Sequence, residues 1–236
     1  MSIRMLAAGL VASGAFVATP AAADGHTDAA ATAASYYVAS RVSFSAAKKT
    51  DFAVGALGIQ RVSNDYATDF MGVVGIGYAA GNGIRAEIEV SYANYDIGTH
   101  SAFDPAGART NFTPEQSFGE ARSLAVMASG YYDFENGTAF TPFVGAGIGY
   151  GQVKAEGFGV TPLVGALPGG VALSDSDTGI AYQFTVGAAL DFTEKTKLEF
   201  GYRYQGIAAE LASVTGAADD FDLRSHNLFA GLRFSF

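Results

Sequence analysis

The chain lacks cysteine, carries little charge and has no long apolar run beyond its N-terminal segment. Because cysteine is absent, disulfide bonds and thiolate metal sites are excluded. Charged residues make up 16% of the chain, against about 25% in typical soluble domains. No later segment approaches the roughly 18 consecutive apolar residues that a membrane-spanning helix needs. Glycine (30 residues), phenylalanine (18) and tyrosine (12) are abundant instead, which favours β-structure with turns.

The N-terminus has the pattern of a secretory signal peptide. Arg4 precedes an apolar run, and a row of small residues that ends at Ala23 forms a cleavage pattern. The run is too short and too diluted by glycine, serine and alanine for a membrane helix. We therefore predict a signal peptide over 1–23, then a flexible periplasmic tail over 24–34, and one folded domain over 35–236.

Eight segments alternate apolar and polar side chains in the manner of β-strands. In the last segment, Leu228, Leu232 and Phe236 fall on one face while Arg233 falls on the other. The predicted strands are 35–45, 70–80, 83–95, 122–134, 140–152, 180–192, 195–206 and 223–236. A bare terminal strand invites aggregation in a soluble domain, and a closed barrel in a membrane removes that edge.

The connections between these segments alternate between long and short. One short connection is Gly81-Asn82-Gly83, which is typical of a tight hairpin. The long connections, predicted as loops, are 46–69, 96–121, 153–179 and 207–222. Bacterial outer-membrane barrels have an even number of strands, short periplasmic turns and long external loops. Both termini are therefore expected on the periplasmic side.

The polar face of the strands separates two kinds of barrel. A soluble barrel would place the apolar face inside. Here the polar face is rich in small residues, such as Gly145, Gly147 and Gly149, which suit a crowded lumen better than a solvated exterior. Tyrosine and phenylalanine also gather near strand ends, as interfacial girdles require. We predict an all-β fold, an eight-stranded antiparallel transmembrane β-barrel with up-and-down topology.

Three stretches, 141–151, 198–204 and 228–236, resemble the small outer-membrane β-barrels of Gram-negative bacteria. That group includes the Opa-like surface antigens, the alphaproteobacterial 25/31-kDa outer-membrane proteins and the OmpA transmembrane domain. The resemblance implies location in the cell outer membrane and contact with outer-membrane lipid and lipopolysaccharide. It also implies insertion by the barrel-assembly machinery.

The terminal strand is similar to the assembly signal of that family. The signal places a glycine before two alternating aromatic residues, and Gly231, Phe234 and Phe236 match it. Phe229 departs from the pattern, because a polar residue is expected two positions before the glycine.

Eight charged residues take the inward parity of the predicted barrel. They are Arg41, Arg85, Glu87, Glu89, Asp191, Glu199, Arg203 and Arg233. An unpaired charge in a narrow lumen is costly, so these residues are expected to pair across strands. Eight strands leave an interior just wide enough for side chains, which favours a salt-bridged plug. The alternative is a narrow or gated pore lined by the same residues.

Histidine would be needed in the enzymatic barrels that modify lipid A or cleave proteins, placed beside serine or a carboxylate. The chain has only His26, His100 and His226. His26 lies in the tail and His100 in a predicted loop. His226 lies on the lipid-facing parity beside Ser225, either as an interfacial residue or as a catalytic base. No nucleophile elbow, zinc motif or phosphate-binding loop occurs, so no cofactor or metal is predicted.

The predicted loops carry most of the acidic excess of the chain, whose formal net charge is −9. Asp219, Asp220 and Asp222, or Asp175 and Asp177, could bind calcium or a basic partner, but neither spacing is that of a dense calcium loop. A pI near 4.7 argues against nucleic acid as a partner.

Function must be argued from a site, and the sequence shows no decisive one. We expect a non-enzymatic surface or structural protein that displays four extracellular loops to a ligand, as an adhesin or surface antigen. A small-solute pore is the first alternative, and a lipid A-modifying enzyme is the second.

Overall fold

A computed structural model describes residues 34–56, 59–160, 170–212 and 218–236. The predicted signal peptide and nearly all of the predicted tail lie outside these residues. The described strands are β1 (Ser35–Ala47), β2 (Thr50–Ala56), β3 (Ile59–Tyr66), β4 (Asp69–Ala79), β5 (Ile84–Phe103), β6 (Arg109–Asn111), β7 (Ser117–Asp133), β8 (Phe140–Val160), β9 (Gly170–Asp191), β10 (Thr196–Ala212) and β11 (Ala218–Ser235). Within the described ranges, no helix is long and apolar enough to cross a bilayer.

Eight long strands close into a ring. Each pairs antiparallel with its neighbours in the order β1, β4, β5, β7, β8, β9, β10 and β11, and β11 returns to β1. At the closing seam Val42 of β1 lies opposite Ala230 of β11, and on its other side opposite Gly72 of β4. The predicted eight-stranded, up-and-down antiparallel barrel is confirmed.

The outer surface of the ring carries an apolar band. In β5, Ile84, Ile88 and Tyr92 point outward and are half exposed, while Arg85 and Glu89 between them are buried. A strand segment of about ten residues, of which alternate residues face outward, is ~33 Å long. At the tilt usual for such barrels it spans ~25 Å of the bilayer. The band therefore has the height that a membrane requires.

The strands do not end where the band ends. Segments predicted as loops continue the ladder: β5 reaches Phe103, β8 reaches Val160, and β10 reaches Ala212. In the connection between β1 and β4, β2 and β3 pair with each other. β3 also pairs with the outer part of β5. The four long connections are thus largely β-structure, and the prediction of extended loops was wrong in extent. We call the described residues of this part the outer extension: 48–56, 59–68, 94–121, 152–160, 170–179, 206–212 and 218–224.

Beyond the apolar band, the apolar side chains lie on the inner face of the barrel wall instead of the outer face. In β8, Tyr150 points outward, whereas Val153 and Ala155 point into the bore and are fully buried. In β10, Tyr202 faces outward, and Ile207 is buried inside. Inside lipid the outer face must be apolar, but above it water contacts the outer face, so the apolar residues move to the interior.

Candidate functional site

The membrane section of the bore holds a cluster of ion pairs centred on Arg41. Its Nη1 lies 2.6 Å from Oε1 of Glu87, and its Nη2 lies 3.1 Å from Oε2 of the same residue. Its Nε donates to Oε2 of Glu199 at 2.8 Å, and Glu89 lies 3.7 Å away. All four side chains are at most 1% exposed, so three carboxylates share one buried guanidinium.

Three further arginines complete the cluster. Arg85 donates two hydrogen bonds of 2.8 Å to the two carboxylate oxygens of Asp133. Arg233 lies 3.3 Å from both Asp133 and Glu199. Arg203 lies 2.8 Å from Oε2 of Glu89. We call these eight residues the ion-pair network: Arg41, Arg85, Glu87, Glu89, Asp133, Glu199, Arg203 and Arg233. Its formal charges cancel.

Seven of the eight charged residues assigned to the lumen from the sequence lie together in this network, and Asp191 does not. Asp191 ends β9, is exposed at the short-turn rim and pairs with Lys197 on β10. Asp133 takes part in the network instead. Its place could have been predicted, because it lies between the outward-facing Tyr132 and Phe134 at the end of β7 and so takes the inward parity.

Tyr131 fills the centre of the bore. Its hydroxyl donates to Glu89, and the guanidinium carbons of Arg85 and Arg41 lie 4.7 and 5.7 Å from its ring centroid. Arginine packs favourably on an aromatic face when both are shielded from water. The ring occupies space that Gly145 leaves free, since a Cβ there would lie 2.2 Å from Cδ1 of Tyr131. Sequence reasoning did not single out this tyrosine.

An apolar layer lies above the network, within the outer part of the barrel. Its buried members are Val62, Tyr66, Met71, Val73, Ala93, Tyr95, Ile97, Ala121, Ala125, Met127, Val153, Ala155, Ala181, Ile207, Ala209, Leu211, Phe221 and Leu223. Below the network, a cavity of about 250 Å³ opens at the short-turn end and reaches Arg85, Asp133 and Arg233. Above this cavity, the bore is therefore filled first by ion-paired side chains and then by apolar side chains.

His226 does not form a catalytic pair with Ser225. Ser225 is buried and accepts a hydrogen bond from Nδ2 of Asn227 at 3.0 Å, whereas His226 points outward, with Nδ1 2.5 Å from the Tyr202 hydroxyl. The two neighbours thus face opposite sides of the wall, as adjacent strand residues must. A Ser225–His226 catalytic pair is ruled out by this geometry.

His100 is a buried residue of β5 rather than the loop residue predicted. Its Nδ1 lies 2.7 Å from Oδ1 of Asn64, and its Nε2 lies 3.2 Å from the carbonyl oxygen of Phe118. It joins β3, β5 and β7 inside the outer extension, which is a structural role. Among the described residues, no group of three histidine, aspartate or glutamate side chains is placed to hold a metal ion.

Three of the aspartates considered for calcium fall on β11, and the other two, Asp175 and Asp177, fall on β9. The side chains of Asp219 and Asp220 lie outside the described part, and Asp222 pairs with Arg224. On β9, Asp177 accepts the backbone N–H of Glu210 at 2.9 Å, and backbone hydrogen bonds lower its pKa. These two described carboxylates already have protein partners.

The residues of the predicted assembly signal lie at the short-turn end of β11. Phe234 and Phe236 are about half exposed on the outer face. A Cβ at Gly231 would lie 2.3 Å from the Ser40 carbonyl oxygen and 2.7 Å from Cγ of Arg41. Glycine at this position thus has a packing reason, and its role as an assembly signal stays a prediction.

Comparison with known proteins agrees with this architecture. A family model described as "Outer membrane protein beta-barrel domain" matches residues 8–234. The chain belongs to this family. It is an outer-membrane protein, and several of its relatives are named as outer membrane, opacity or proposed adhesin proteins.

Three proteins show what the chain is similar to. Outer membrane protein PagN of Salmonella typhimurium is 33% identical over 91 residues, 36% of this chain and about a third (34%) of PagN. A proposed adhesin of Rickettsia conorii, RC1281, is 26% identical over 71% of this chain and 68% of that protein. The solved structure of Neisserial surface protein A matches with a TM-score of 0.51 at 20% identity, over 86% of this chain and 99% of that one. This last likeness concerns the fold alone.

Proposed function

We propose that the protein is a non-enzymatic surface protein whose barrel supports an outer extension for contact with ligands outside the cell, in the manner of an adhesin. One observation carries the proposal: the β-wall continues well past the apolar band, with a polar outer face and a filled interior. A rigid, water-exposed wall is suited to contact with a macromolecule. The names of the PagN and RC1281 proteins agree with a surface role.

The same geometry supports this function over the two alternatives. Conduction would require a continuous aqueous path, but ion pairs and apolar side chains occupy the bore in turn. Modification of lipid A would require a serine or carboxylate beside a histidine, and Ser225 and His226 diverge.

Removing the outer extension should abolish adhesion while the membrane section still folds. In a trimmed chain, short Gly-Asn turns replace 51–65, 98–118, 156–175 and 209–220. The cuts leave the ion-pair network and the apolar band unchanged, so we expect the trimmed chain to fold into a heat-modifiable barrel. Bacteria that express it should bind an epithelial monolayer no better than bacteria that carry the empty vector. Bound bacteria are counted by plating.

The control for this experiment lies on the other side of the membrane. Lys197→Ala changes a charged residue at the short-turn rim, and should leave adhesion at the level of the full chain. Equal adhesion by the trimmed and full chains, or no adhesion by the full chain, would contradict the proposed function.

Opening the ion-pair network alone should not produce a channel. In planar bilayers we expect no conductance steps from the native chain, and none from Arg203→Ala or Glu87→Ala. The reason is that Met71, Met127 and Ile207 still fill the bore above the network. Folding is verified by the heat-dependent gel shift. Steady conductance from the native chain, or a clear increase in either variant, would favour the pore instead.

A further inference from the structure

The outer edge of the apolar band carries an aromatic patch on β9, β10 and β11. The ring of Tyr204 lies 5.3 Å from that of His226 and 6.2 Å from that of Tyr182. Tyr182 lies over Gly206, where a Cβ would come within 2.4 Å of its Cζ. Aromatic rings of this kind mark the level at which hydrocarbon gives way to headgroups.

Basic side chains stand immediately above this patch. Lys48 and Arg224 are joined by a 2.7 Å hydrogen bond between their backbones, and both side chains are exposed. The Nζ of Lys48 lies 5.5 Å from the centroid of Tyr204. With Lys49, Thr50, Asp51 and Asp222, these two residues line an open cleft of about 230 Å³.

The charges of the cleft leave one cation without an acidic partner. Arg224 pairs with Asp222, and Lys49 lies 2.7 Å from Asp65. Across the described ranges, Lys48 has no carboxylate within 4.0 Å, and its close contact is the tyrosine ring. Exposed ion pairs are weak, so Arg224 can exchange its carboxylate for a stronger anion.

The opposite wall offers a contrast at the same height. There Arg122 lies 3.0 Å from Glu156 and also pairs with Glu120, while Lys154 pairs with Glu156. The charges of these two bases and two acids cancel, and within the described ranges neither base lies over an aromatic ring. Of these two walls, the β1–β11 seam is thus the one that combines a cation without a carboxylate partner with aromatic rings.

We propose that Lys48 and Arg224, with the rings of Tyr204 and His226 beneath them, bind the phosphate of an outer-leaflet glycolipid headgroup. The cations contact the phosphate oxygens, with Arg224 offering its planar fork. The rings pack against the sugar and the first methylene groups. The site lies on the lipid-facing wall, so it is independent of any ligand held by the outer extension.

The test is a titration of the mature barrel in detergent micelles with bis-phosphorylated lipid A, read by native mass spectrometry. One cation near an anionic lipid surface contributes about a fivefold change in affinity. We expect Lys48→Ala to lose about that much, Lys48→Arg to keep native affinity, and Lys154→Ala to change nothing. Lipid A without its phosphates should bind native protein more weakly than lipid A binds Lys48→Ala, because Lys48 and Arg224 then both lose their phosphate contact.

Any one of three results would overturn the proposal. Equal affinity of native and Lys48→Ala protein would show that the cleft is not used. An equal loss in Lys154→Ala would indicate general charge attraction. Competition by millimolar inorganic phosphate would indicate a site for the free anion rather than for the lipid. The heat-dependent gel shift confirms that every variant is folded.

Discussion

Replacing Arg41 with alanine should lower the free energy of unfolding in lipid vesicles by about 3–5 kcal/mol. The guanidinium contacts Glu87 and Glu199 directly and lies 3.7 Å from Glu89. Without it, the bore holds one uncompensated negative charge among side chains that water does not reach. This is the case in which breaking a buried ion pair is most costly.

The measurement is a urea titration of the refolded barrel, followed by the heat-dependent gel shift, since the chain has no tryptophan to report by fluorescence. The matched control is Lys197→Ala, which removes a partly exposed partner of Asp191 at the rim. Exposed pairs contribute at most about 1 kcal/mol. If both variants lose the same stability, the network is no more than a set of weak surface pairs.

The membrane part of the fold could be predicted from the sequence because one rule holds throughout it. Alternate residues are apolar and face lipid, as in Leu228, Leu232 and Phe236. The rule changes at the edge of the band: Leu223 is buried inside, on the parity that carries polar residues lower down. A pattern search that expects one apolar parity meets a break there and predicts a loop. The strand in fact continues, and only the solvent outside it has changed.

The membership of the ion-pair network follows from parity, but its pairing does not. Arg41 and Glu87 are separated by β4, and they meet because Gly75 on that strand has no side chain. A Cβ at Gly75 would lie 2.2 Å from Oε1 of Glu87. Which rows of side chains meet depends on the stagger of the strands around the barrel, and alternation along one strand carries no information about that stagger. For the same reason Asp191 was assigned to the lumen, although it lies at the rim.

Replacing Val186 with arginine should destabilise the barrel by about 2–4 kcal/mol in lipid, the cost of a cation near the bilayer midplane. Val186 faces outward in β9, is 54% exposed, and lies between Val144 of β8 and Tyr202 of β10. A charge there must either enter hydrocarbon or distort the lipid around it. The measurement is again the urea titration in vesicles, with Val186→Leu as the conservative control.

A separate variant with arginine at another position of the same strand tests how the cost depends on depth in the membrane. Ile180 also faces outward and is 55% exposed, but it pairs with Tyr150 at the outer edge of the band. At that level the guanidinium can reach the headgroups, so Ile180→Arg should cost only about 0–1 kcal/mol. In a barrel whose outer face met water at every height, the two substitutions would have equal and small effects. A larger loss of stability at Val186 than at Ile180 therefore locates the hydrocarbon layer along the strand. Its outer edge is the level above which the apolar residues lie on the inner face of the wall.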